Sequence, residues 1–504
     1  MTIARSSRRA RATHAPRRHG VAVPVVAGGL AAALGLAAAL SPGLGIGAFL
    51  GLACIVAFLR SGVLAVCVFA GVTYGDILTE YTGPTLSPIK LAGGALILLA
   101  AMTLVVRQRR TPARHVAVTD GDLAATIDTG PGWRRHPVTV ALVIGFVGWA
   151  LTSAAWATDL TQVRTLGVRL LMDALVFLAV PVFLRSTEHL RALGWTLIGA
   201  ATAATCFGLV TGANLIGRSI GTFSDPNEFA AALVPAMAIG LTLAESASSW
   251  AARWGGRIAV AICLAGVLQS GSRGGLLAMA VAFVLVLAGA RGRERVRLTG
   301  WTLVAIACGA AWLALTPAGS TIASRLSDHD SSGRTELWTV AVREFRSQPL
   351  HGVGLGNYPV RSRFFVDGLA NQDLFLRDAR TTHSTPLELL AELGVVGVTL
   401  YYAFLAACIA AGVRATRLAR RLGDIRLAAA ARGMVAGILA AVSATLFLSN
   451  QYQEVTWVLC GACIAALAVA RRAIAAADSQ AMLVDDGASD LEPGITSIEA
   501  RTAS

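Results

Sequence analysis

The chain has 504 residues, of which 55% are hydrophobic and only 14% are charged, and its formal net charge is +14. A soluble protein of this length could not bury so much apolar surface, so the composition excludes a soluble globular enzyme. The positive charge does not indicate nucleic-acid binding, because it is concentrated in arginine clusters between apolar runs, where membrane insertion and anionic lipid account for it.

Apolar runs of membrane-spanning length, about 17–25 residues each, recur along the whole chain. Ala, Gly and Leu dominate these runs and no alternating strand pattern is present, so helices are favoured over a barrel. We predict an all-α, polytopic integral membrane protein with about 12–14 transmembrane helices. The predicted spans lie near residues 21–40, 44–59, 62–76, 90–106, 137–155, 166–184, 193–213, 228–245, 258–271, 274–290, 298–316, 386–411, 428–448 and 455–470.

The arginine clusters predict the orientation of these spans. They lie in the N-terminal tail, in the 107–136 loop, at 291–297 and at 414–426. If the N-terminus is cytoplasmic, every cluster falls on the cytoplasmic side, as the positive-inside rule requires. The prediction is a multi-pass protein of the cytoplasmic membrane with both termini inside. Its segments are a basic tail at 1–20, transmembrane helices at 21–316, an extracytoplasmic loop at 317–385, transmembrane helices at 386–472 and a flexible cytoplasmic tail at 473–504.

Signals for metal, nucleotide or disulfide chemistry are missing from the sequence. All eight cysteines lie in the apolar runs, so no disulfide framework is implied. Cys460 and Cys463 have CxxC spacing without a second pair, which favours helix packing over a metal or redox site. The acidic residues of the 317–385 loop lack metal-ligand spacing, and no phosphate-binding loop or dinucleotide fingerprint occurs. We therefore expect neither a metal nor a cofactor.

The extracytoplasmic loop contains a predicted amphipathic helix, with Trp338 suited to the membrane interface. Arg334 falls in its first turn, where the helix dipole disfavours a cation by about 0.3–1 kcal/mol. An anionic ligand would account for an arginine at that position. The segment 349–357, whose glycines permit close backbone approach, then ends the helix; its likeness to a phosphate loop is superficial. The apolar positions of the helix are Leu337, Val340, Ala341 and Phe345.

The end of the loop gives the strongest local signal. Thr385-Pro-Leu-Glu388 has the form of a capping box with proline at the first helical position. His383 stands just before it, where the positive helix end favours a neutral imidazole able to act as a general base. A loop histidine that bonds to the backbone is the alternative. Glu392 lies one turn after Glu388, deeper in the span, and needs a partner such as an arginine.

Two further turns carry polar residues next to apolar runs. Arg218 precedes Asp225-Pro-Asn227, a turn in which Asn227 is predicted to cap the next span. Arg273 follows Ser270-Gly-Ser between two apolar runs, where an arginine is costly unless it meets water or a partner. Each arginine could bind an anion at the outer face. The alternatives are a plain connecting loop for Arg218 and a snorkelling side chain at a hairpin tip for Arg273.

These motifs, in the order in which they occur along the chain, resemble those of the bacterial O-antigen ligase and polymerase superfamily of membrane glycosyltransferases. The resemblance covers about residues 137–450, and Trp156 with Asp159 also looks similar. Ser384 departs from it, because many relatives carry asparagine directly after the motif histidine. The motifs that carry the resemblance are Arg218 with Asp225-Pro-Asn227, Ser270-Gly-Ser-Arg273, Arg334 with Trp338, the 349–357 segment, and His383 with Glu388 and Glu392.

The resemblance implies transfer of a glycan from a polyprenyl-diphosphate carrier to an acceptor hydroxyl at the outer face of the membrane, without metal or nucleotide sugar. It implies His383 as the catalytic base and Arg218, Arg334 and Arg273 as ligands of the diphosphate. We expect these four side chains to converge on one cavity. The supporting residues would be Glu388, Glu392, Asn227 and Trp338.

The resemblance leaves the sugar, the acceptor and the product open. The acceptor is a glycan, a lipid or a protein, and the enzyme is a ligase or a chain polymerase of the same superfamily. Membrane lipid is the other expected partner. A transporter or flippase is the alternative class, but no inverted pair of broken spans is evident. A transporter also has little use for a histidine held in a long outer loop.

Overall fold

The computed structural model describes residues 61–77, 87–110, 132–327, 333–370, 372, 375 and 380–489. The predicted basic tail at 1–20, the spans at 21–40 and 44–59, and most of the 107–136 loop lie outside the described residues. Within them the chain folds into fifteen α-helices and one two-stranded antiparallel ribbon.

The helices and strands follow in chain order. The first half contains α1 (Gly62–Val72), α2 (Pro88–Arg110), α3 (Pro137–Thr152), α4 (Leu160–Phe183), α5 (Thr187–Thr211), β1 (Asn214–Leu215), β2 (Arg218–Ser219), α6 (Pro226–Glu245), α7 (Trp250–Ser270), α8 (Arg273–Gly289) and α9 (Gly292–Leu315). The second half contains α10 (Pro317–Ser327), α11 (Arg334–Ser347), α12 (Tyr358–Arg361), α13 (Thr385–Arg421), α14 (Ile425–Ala444) and α15 (Glu454–Ser489).

Twelve of these helices correspond to the twelve predicted spans that fall within the described residues. Ten are long and apolar enough to cross a membrane, and α1 and α8 are shorter apolar helices. The shortest predicted run, 258–271, is part of α7, which has 21 residues. The prediction of an all-α polytopic membrane protein is confirmed. The last helix continues to Ser489, whereas the final predicted span ends at residue 470.

The helices differ sharply in how much of their surface the rest of the protein covers. The spanning window of α6 is 89% buried, and this helix packs against α5, α7, α8 and α14. In contrast, the window of α9 is only 6% buried. Small residues let α6 approach its neighbours closely: a Cβ added at Gly433 of α14 would clash with Thr242. We conclude that α6 is the central helix and that α9 is peripheral.

The long helix α13 is interrupted at Gly394, whose φ of 65° and ψ of −168° are not helical. The loop 349–357 docks against this interruption and supplies partners for the backbone groups that the break releases. The indole of Trp149 adds a hydrogen bond of 3.0 Å to the Leu393 carbonyl. Three backbone hydrogen bonds join the loop and the helix: Val353 N to Ala391 O at 2.9 Å, Gly354 N to Glu392 O at 2.8 Å and Val395 N to Pro349 O at 2.9 Å.

The loop glycines therefore have a structural function. At Gly352, with φ of +68°, an added Cβ would clash with the backbone of Glu392, and at Gly354 it would lie 2.6 Å from Ala157. The sequence predicted close backbone approach here, and the partner in the structure is another part of the chain. The loop fixes the position of the outer end of α13.

Replacing Gly394 by alanine is expected to destabilise the protein by about 3 kcal/mol or more, because alanine has to adopt a glycine-only conformation and its Cβ would clash with the Leu350 carbonyl. The melting temperature of the purified protein in detergent measures the effect. The matched control is Gly423→Ala, where φ is +71° but the added Cβ meets open space. Equal melting temperatures for the two variants would contradict the docking described above.

The loop helix α11 begins at Arg334, as predicted, and its buried face contains Leu337, Val340 and Ala341. Phe345, which the sequence placed on that face, is only half-buried. The carboxyl group of Glu344 is buried instead, with 0% exposure and no hydrogen-bond partner for either oxygen among the described residues. Burial raises the pKa of Glu344 to about 9.

Candidate functional site

The N-terminus of α13 differs from the predicted capping box. Ser384 is the N-cap residue and makes no side-chain cap bond, and Thr385 and Pro386 are the first two helical residues. The hydroxyl of Thr385 donates to the Leu448 carbonyl at 2.9 Å and accepts from the Asn450 amide at 2.9 Å. The capping-box prediction is wrong because the segment after α14, distant in sequence, takes the threonine hydroxyl.

The carboxylate of Glu388, only 6% exposed, anchors the turn that carries His383. It accepts hydrogen bonds from the Thr382 amide at 3.3 Å and from the Gln451 side chain at 2.9 Å. The hydroxyl of Ser449 also donates to it. Glu388 therefore ties the 382–384 turn to the 449–451 segment, instead of capping its own helix.

His383 is held in a left-handed conformation with φ of +50°, which is uncommon for a residue other than glycine. The Ser384 amide donates to the Thr382 hydroxyl at 3.0 Å, and the indole of Trp338 donates to the Thr382 carbonyl at 3.2 Å. The His383 ring is half-buried and makes no hydrogen bond to a described residue. The turn thus presents the imidazole with both nitrogens available.

The charge state of His383 follows from its surroundings. Burial lowers the pKa of His383 below its usual 6.5, and the positive charges of Arg334 and Arg380 lower it further. The carboxylates of Asp225 and Glu388 act in the opposite direction without reversing the shift. The imidazole is therefore neutral at neutral pH and can accept a proton.

Arg334 and Arg273 lie close enough to affect each other. Burial, and then the positive charge of Arg273, lower the pKa of Arg334, while Asp225 acts in the opposite direction. No hydrogen bond or ion pair joins Arg334 to another described residue. Guanidinium groups that lie near each other can bind one anion together, so the pair forms a candidate anion site.

Hydrogen bonds to two described residues orient Arg218. Its Nε donates to the Ser270 carbonyl at 2.6 Å and its Nη2 donates to the Asn227 amide oxygen at 2.8 Å. Asn227 was predicted to cap α6, and that prediction is wrong. Asp225 is the N-cap and accepts from the Asn227 amide at 2.7 Å, because Pro226 occupies the first helical position.

The predicted site residues come from separate turns of the chain. Asp225 is the shared neighbour: its charge acts on both Arg334 and His383. The Ser270 carbonyl connects Arg218 to the turn from which α8 begins at Arg273. The sequence analysis named the three arginines and the histidine as candidate site residues. It did not predict that Asp225 lies near two of them, although aspartate before a proline at a helix start is a known N-cap signal.

Glu392 is 1% exposed and was expected to meet an arginine. It accepts instead from the Tyr358 amide at 3.3 Å, and its other carboxyl oxygen has no hydrogen-bond partner among the described residues. The prediction of an arginine partner is wrong, because docking of the 349–357 loop brings backbone amides to this carboxyl group. Glu392 fixes α12 against α13.

An ion pair between two spanning helices was also missed. Arg169 of α4 lies 3.2 Å from Glu454 at the start of α15 and donates to the Tyr452 carbonyl at 3.2 Å. Its guanidinium also lies 5.6 Å from the centre of the Tyr452 ring. A charged residue inside an apolar run is the signal that could have found it, since such residues need a partner in a membrane.

The structure is that of an all-α membrane protein with a histidine turn at the start of α13 and arginines in other turns beside its spanning helices. Residues 258–402 match the family model described as O-Antigen ligase. The predicted relationship to the O-antigen ligase and polymerase superfamily is confirmed over this segment, which is somewhat less than a third of the chain and includes Arg273, Arg334 and His383. The match indicates a membrane enzyme of the ligase or glycosyltransferase type in polysaccharide assembly. No curated protein matches the chain.

If His383 is the catalytic base, as the sequence predicts, replacing Glu388 by glutamine is expected to lower kcat about tenfold with little change in KM, because a charge-assisted hydrogen bond is worth about 1.5–3 kcal/mol. Glu388 also raises the pKa of His383, so its loss should move the acidic limb of the pH–rate profile to lower pH. Initial rates across pH measure both effects. Gln451→Ala, which removes one donor to Glu388, should lower kcat less and leave the limb in place. An unchanged limb in the Glu388 variant would contradict the positioning role.

Proposed function

We propose that the protein transfers a glycan from a polyprenyl-diphosphate carrier to an acceptor hydroxyl at the extracytoplasmic face of the cytoplasmic membrane. The observation that supports the proposal is the positive charge of Arg334, which acts on His383 and is itself affected by Arg273, while Arg218 bonds to Ser270 in the turn before Arg273. The O-antigen ligase match over residues 258–402 supports the same class of reaction.

The arginines hold the diphosphate of the donor. Arg334 and Arg218 bind phosphate oxygens, and a guanidinium suits this role because its fork of donors can bind two oxygens at once. Hydrogen bonds to Ser270 and Asn227 orient Arg218 before the donor binds. Arg273 adds a further positive charge. When the bond between the sugar and the diphosphate breaks, negative charge develops on the leaving phosphate, and the arginines stabilise it there.

His383 acts on the acceptor. Its neutral imidazole takes the proton from the acceptor hydroxyl while that oxygen forms a bond to the anomeric carbon of the donor sugar. The bond from this carbon to the diphosphate oxygen breaks, and polyprenyl diphosphate leaves with the bonding electron pair. General base catalysis of this kind contributes about 10²–10⁴-fold.

The orientation in the membrane follows from charge. The arginine clusters at 291–297 and 414–426 belong on the cytoplasmic side, which places the 317–385 loop and the N-terminus of α13 outside. Both chain termini are then cytoplasmic. This arrangement brings the site to the leaflet where a translocated lipid-linked glycan would be available.

Purified protein in liposomes, incubated with polyprenyl-diphosphate glycans and separate glycan, lipid or protein acceptors, tests the proposal. Release of polyprenyl diphosphate together with a larger glycosylated acceptor is the expected result. Growth of the carrier-linked glycan itself would define a chain polymerase with the same donor chemistry. Movement of an intact carrier-linked glycan across the bilayer, without cleavage, would contradict the proposal and favour a transporter.

The pH dependence of transfer is expected to depend on donor binding. In the free enzyme the pKa of His383 lies below 6.5, so kcat/KM should rise with pH through a pKa below that value and then level off. A bound diphosphate neutralises Arg334, which removes a cause of the lowered pKa. The acidic limb of kcat should therefore lie at higher pH than the limb of kcat/KM. Initial rates from about pH 4.5 to pH 8 measure both limbs, and limbs at the same pH would contradict an arginine-bound donor beside His383.

A further inference from the structure

A cluster of aromatic and charged side chains lies where α7 and α9 begin, and we refer to it as the arginine–tryptophan cluster. The Trp254 and Trp301 rings meet edge-on, with centres 5.6 Å apart, and join the two helices. Because α7 is 21 residues long, about 30 Å of helix separates the cluster from Arg273 in the proposed donor site. The members of the cluster are Trp250, Trp254 and Arg257 of α7, Arg297 and Trp301 of α9, and Glu245 at the end of α6.

The charges within the cluster do not cancel. One carboxyl oxygen of Glu245 lies 2.6 Å from Nη2 of Arg257, and the other lies 2.9 Å from Nη2 of Arg297. Among the residues that the structure describes, neither arginine pairs with another carboxylate. Two guanidinium groups therefore share one carboxylate, and one positive charge remains.

The two arginines differ in what they can still bind. The side chain of Arg257 is only 16% exposed, packs against the Trp254 and Trp301 rings and bonds to Glu245 through two of its nitrogens. The side chain of Arg297 is 50% exposed and makes no contact with a described polar side chain besides its ion pair with Glu245. The remaining positive charge is thus available at the surface, on a guanidinium that can donate to an anion.

The surface around Arg297 has the composition of a membrane interface. The spanning window of α9 is only 6% buried, so this helix faces lipid. Trp250 and Trp254 are exposed beside it, and tryptophan is enriched where a membrane meets water. Because α7 and α9 both begin here, the positive ends of their dipoles face the same leaflet. An anion at this level meets a surface suited to a lipid headgroup.

Two further arginines add to the positive potential. Arg253 precedes Arg257 by four residues, and Arg293 precedes Arg297 by four, so each shares a helix face with an arginine of the cluster. Like charges at this spacing destabilise a helix. A bound anion offsets that repulsion on both helices at once.

We propose that the arginine–tryptophan cluster binds the headgroup of an anionic phospholipid, with Arg297 as the principal ligand of its phosphate. The lipid belongs to the cytoplasmic leaflet, an assignment that rests on the orientation proposed above. The net positive charge of the cluster favours an anionic headgroup over a zwitterionic one. Since little of α9 is buried against the protein, a headgroup held between α7 and α9 ties the peripheral helix to the rest of the fold.

Lipid binding to the full-length protein in detergent is measured by native mass spectrometry, with phosphatidylglycerol and phosphatidylcholine of the same acyl chains. We expect tighter binding of phosphatidylglycerol. Arg297→Gln should weaken that binding about fivefold, the effect of one arginine near an anionic surface, and leave phosphatidylcholine binding unchanged. Glu245 keeps Arg257 as its partner in this variant, so no buried carboxylate is left alone.

Arg417→Gln is the matched control, because Arg417 is an exposed arginine in the arginine cluster at 414–426 and lies on a different helix. It removes the same charge on the same side of the protein and should leave phosphatidylglycerol binding within about twofold. Equal losses in the two variants would reveal a diffuse attraction and overturn the proposal. Equal binding of the two lipids by the unsubstituted protein would also overturn it.

Hydrogen–deuterium exchange locates the lipid on the unsubstituted protein. Phosphatidylglycerol should slow exchange in segments 250–257 and 292–301, and protection confined to other segments would overturn the proposal. Glycerol 3-phosphate at the same concentration should have no effect, and equal protection by it would replace the lipid with a soluble anion. None of these measurements depends on glycan transfer, so a failure here is distinguishable from a failure of the proposed function.

Discussion

Replacing His383 by alanine is expected to lower the rate of glycan transfer by about two to four orders of magnitude, while binding of the lipid-linked donor is retained. The physical reason is that the turn supplies one neutral imidazole beside the arginines, and no second base stands in the same turn. Transfer is measured by product formation in liposomes, and donor binding by titration with radiolabelled carrier-linked glycan.

Two further variants separate chemistry from folding in this experiment. His383 has φ of +50°, and asparagine tolerates that conformation better than alanine, so His383→Asn should lose transfer without strain in the turn. His351→Ala is the matched control: this histidine belongs to the 349–357 loop and its ring packs 5.0 Å from that of Trp156. Retained transfer in both His383 variants would exclude His383 as the base.

Replacing Arg334 by lysine is expected to lower kcat/KM about 100-fold, because an ammonium group cannot reproduce the planar fork with which a guanidinium binds phosphate. The charge is conserved, so the loss reports geometry and not electrostatic attraction alone. The measurement is the initial rate over a range of donor concentrations. Arg334→Gln should lose more than the lysine variant.

The control for this substitution lies on the same helix. Arg346 is exposed in the last turn of α11, and Arg346→Lys should leave kcat/KM within about twofold of the unsubstituted protein, as surface substitutions commonly do. An Arg334→Lys protein with unchanged kcat/KM would show that Arg334 does not clamp the donor. The diphosphate would then have to be held by Arg218 and Arg273.

The spanning helices could be predicted because the bilayer imposes a local rule. About 20 consecutive apolar residues must form a helix to satisfy their backbone groups, and every described helix that follows this rule was predicted. The amphipathic helix at Arg334 followed from spacing in the same way. The interruption at Gly394 was missed, because the partners that satisfy it come from the 349–357 loop, about 40 residues earlier in the chain.

The candidate site was predictable as a set of residue types but not as a network. Arginines beside apolar runs, and a histidine before a helix start, stand out because a polar group in or near the membrane is energetically costly unless it has a partner or a function. Glu388 is separated from its partners Ser449 and Gln451 by about 60 residues of sequence, so no local sequence pattern predicts these contacts. For the same reason Asn227 was taken as a cap when its side chain orients Arg218.

The anchoring of the His383 turn limits how far the family domain can be treated as a module. The matched segment ends at residue 402, yet Glu388 within it depends on Ser449 and Gln451, and Arg218 and Asn227 precede its start. A chimera that exchanges only 258–402 between two relatives would carry the histidine without its native supports. Functional transplantation therefore has to include the turn before α6 and the segment that joins α14 to α15.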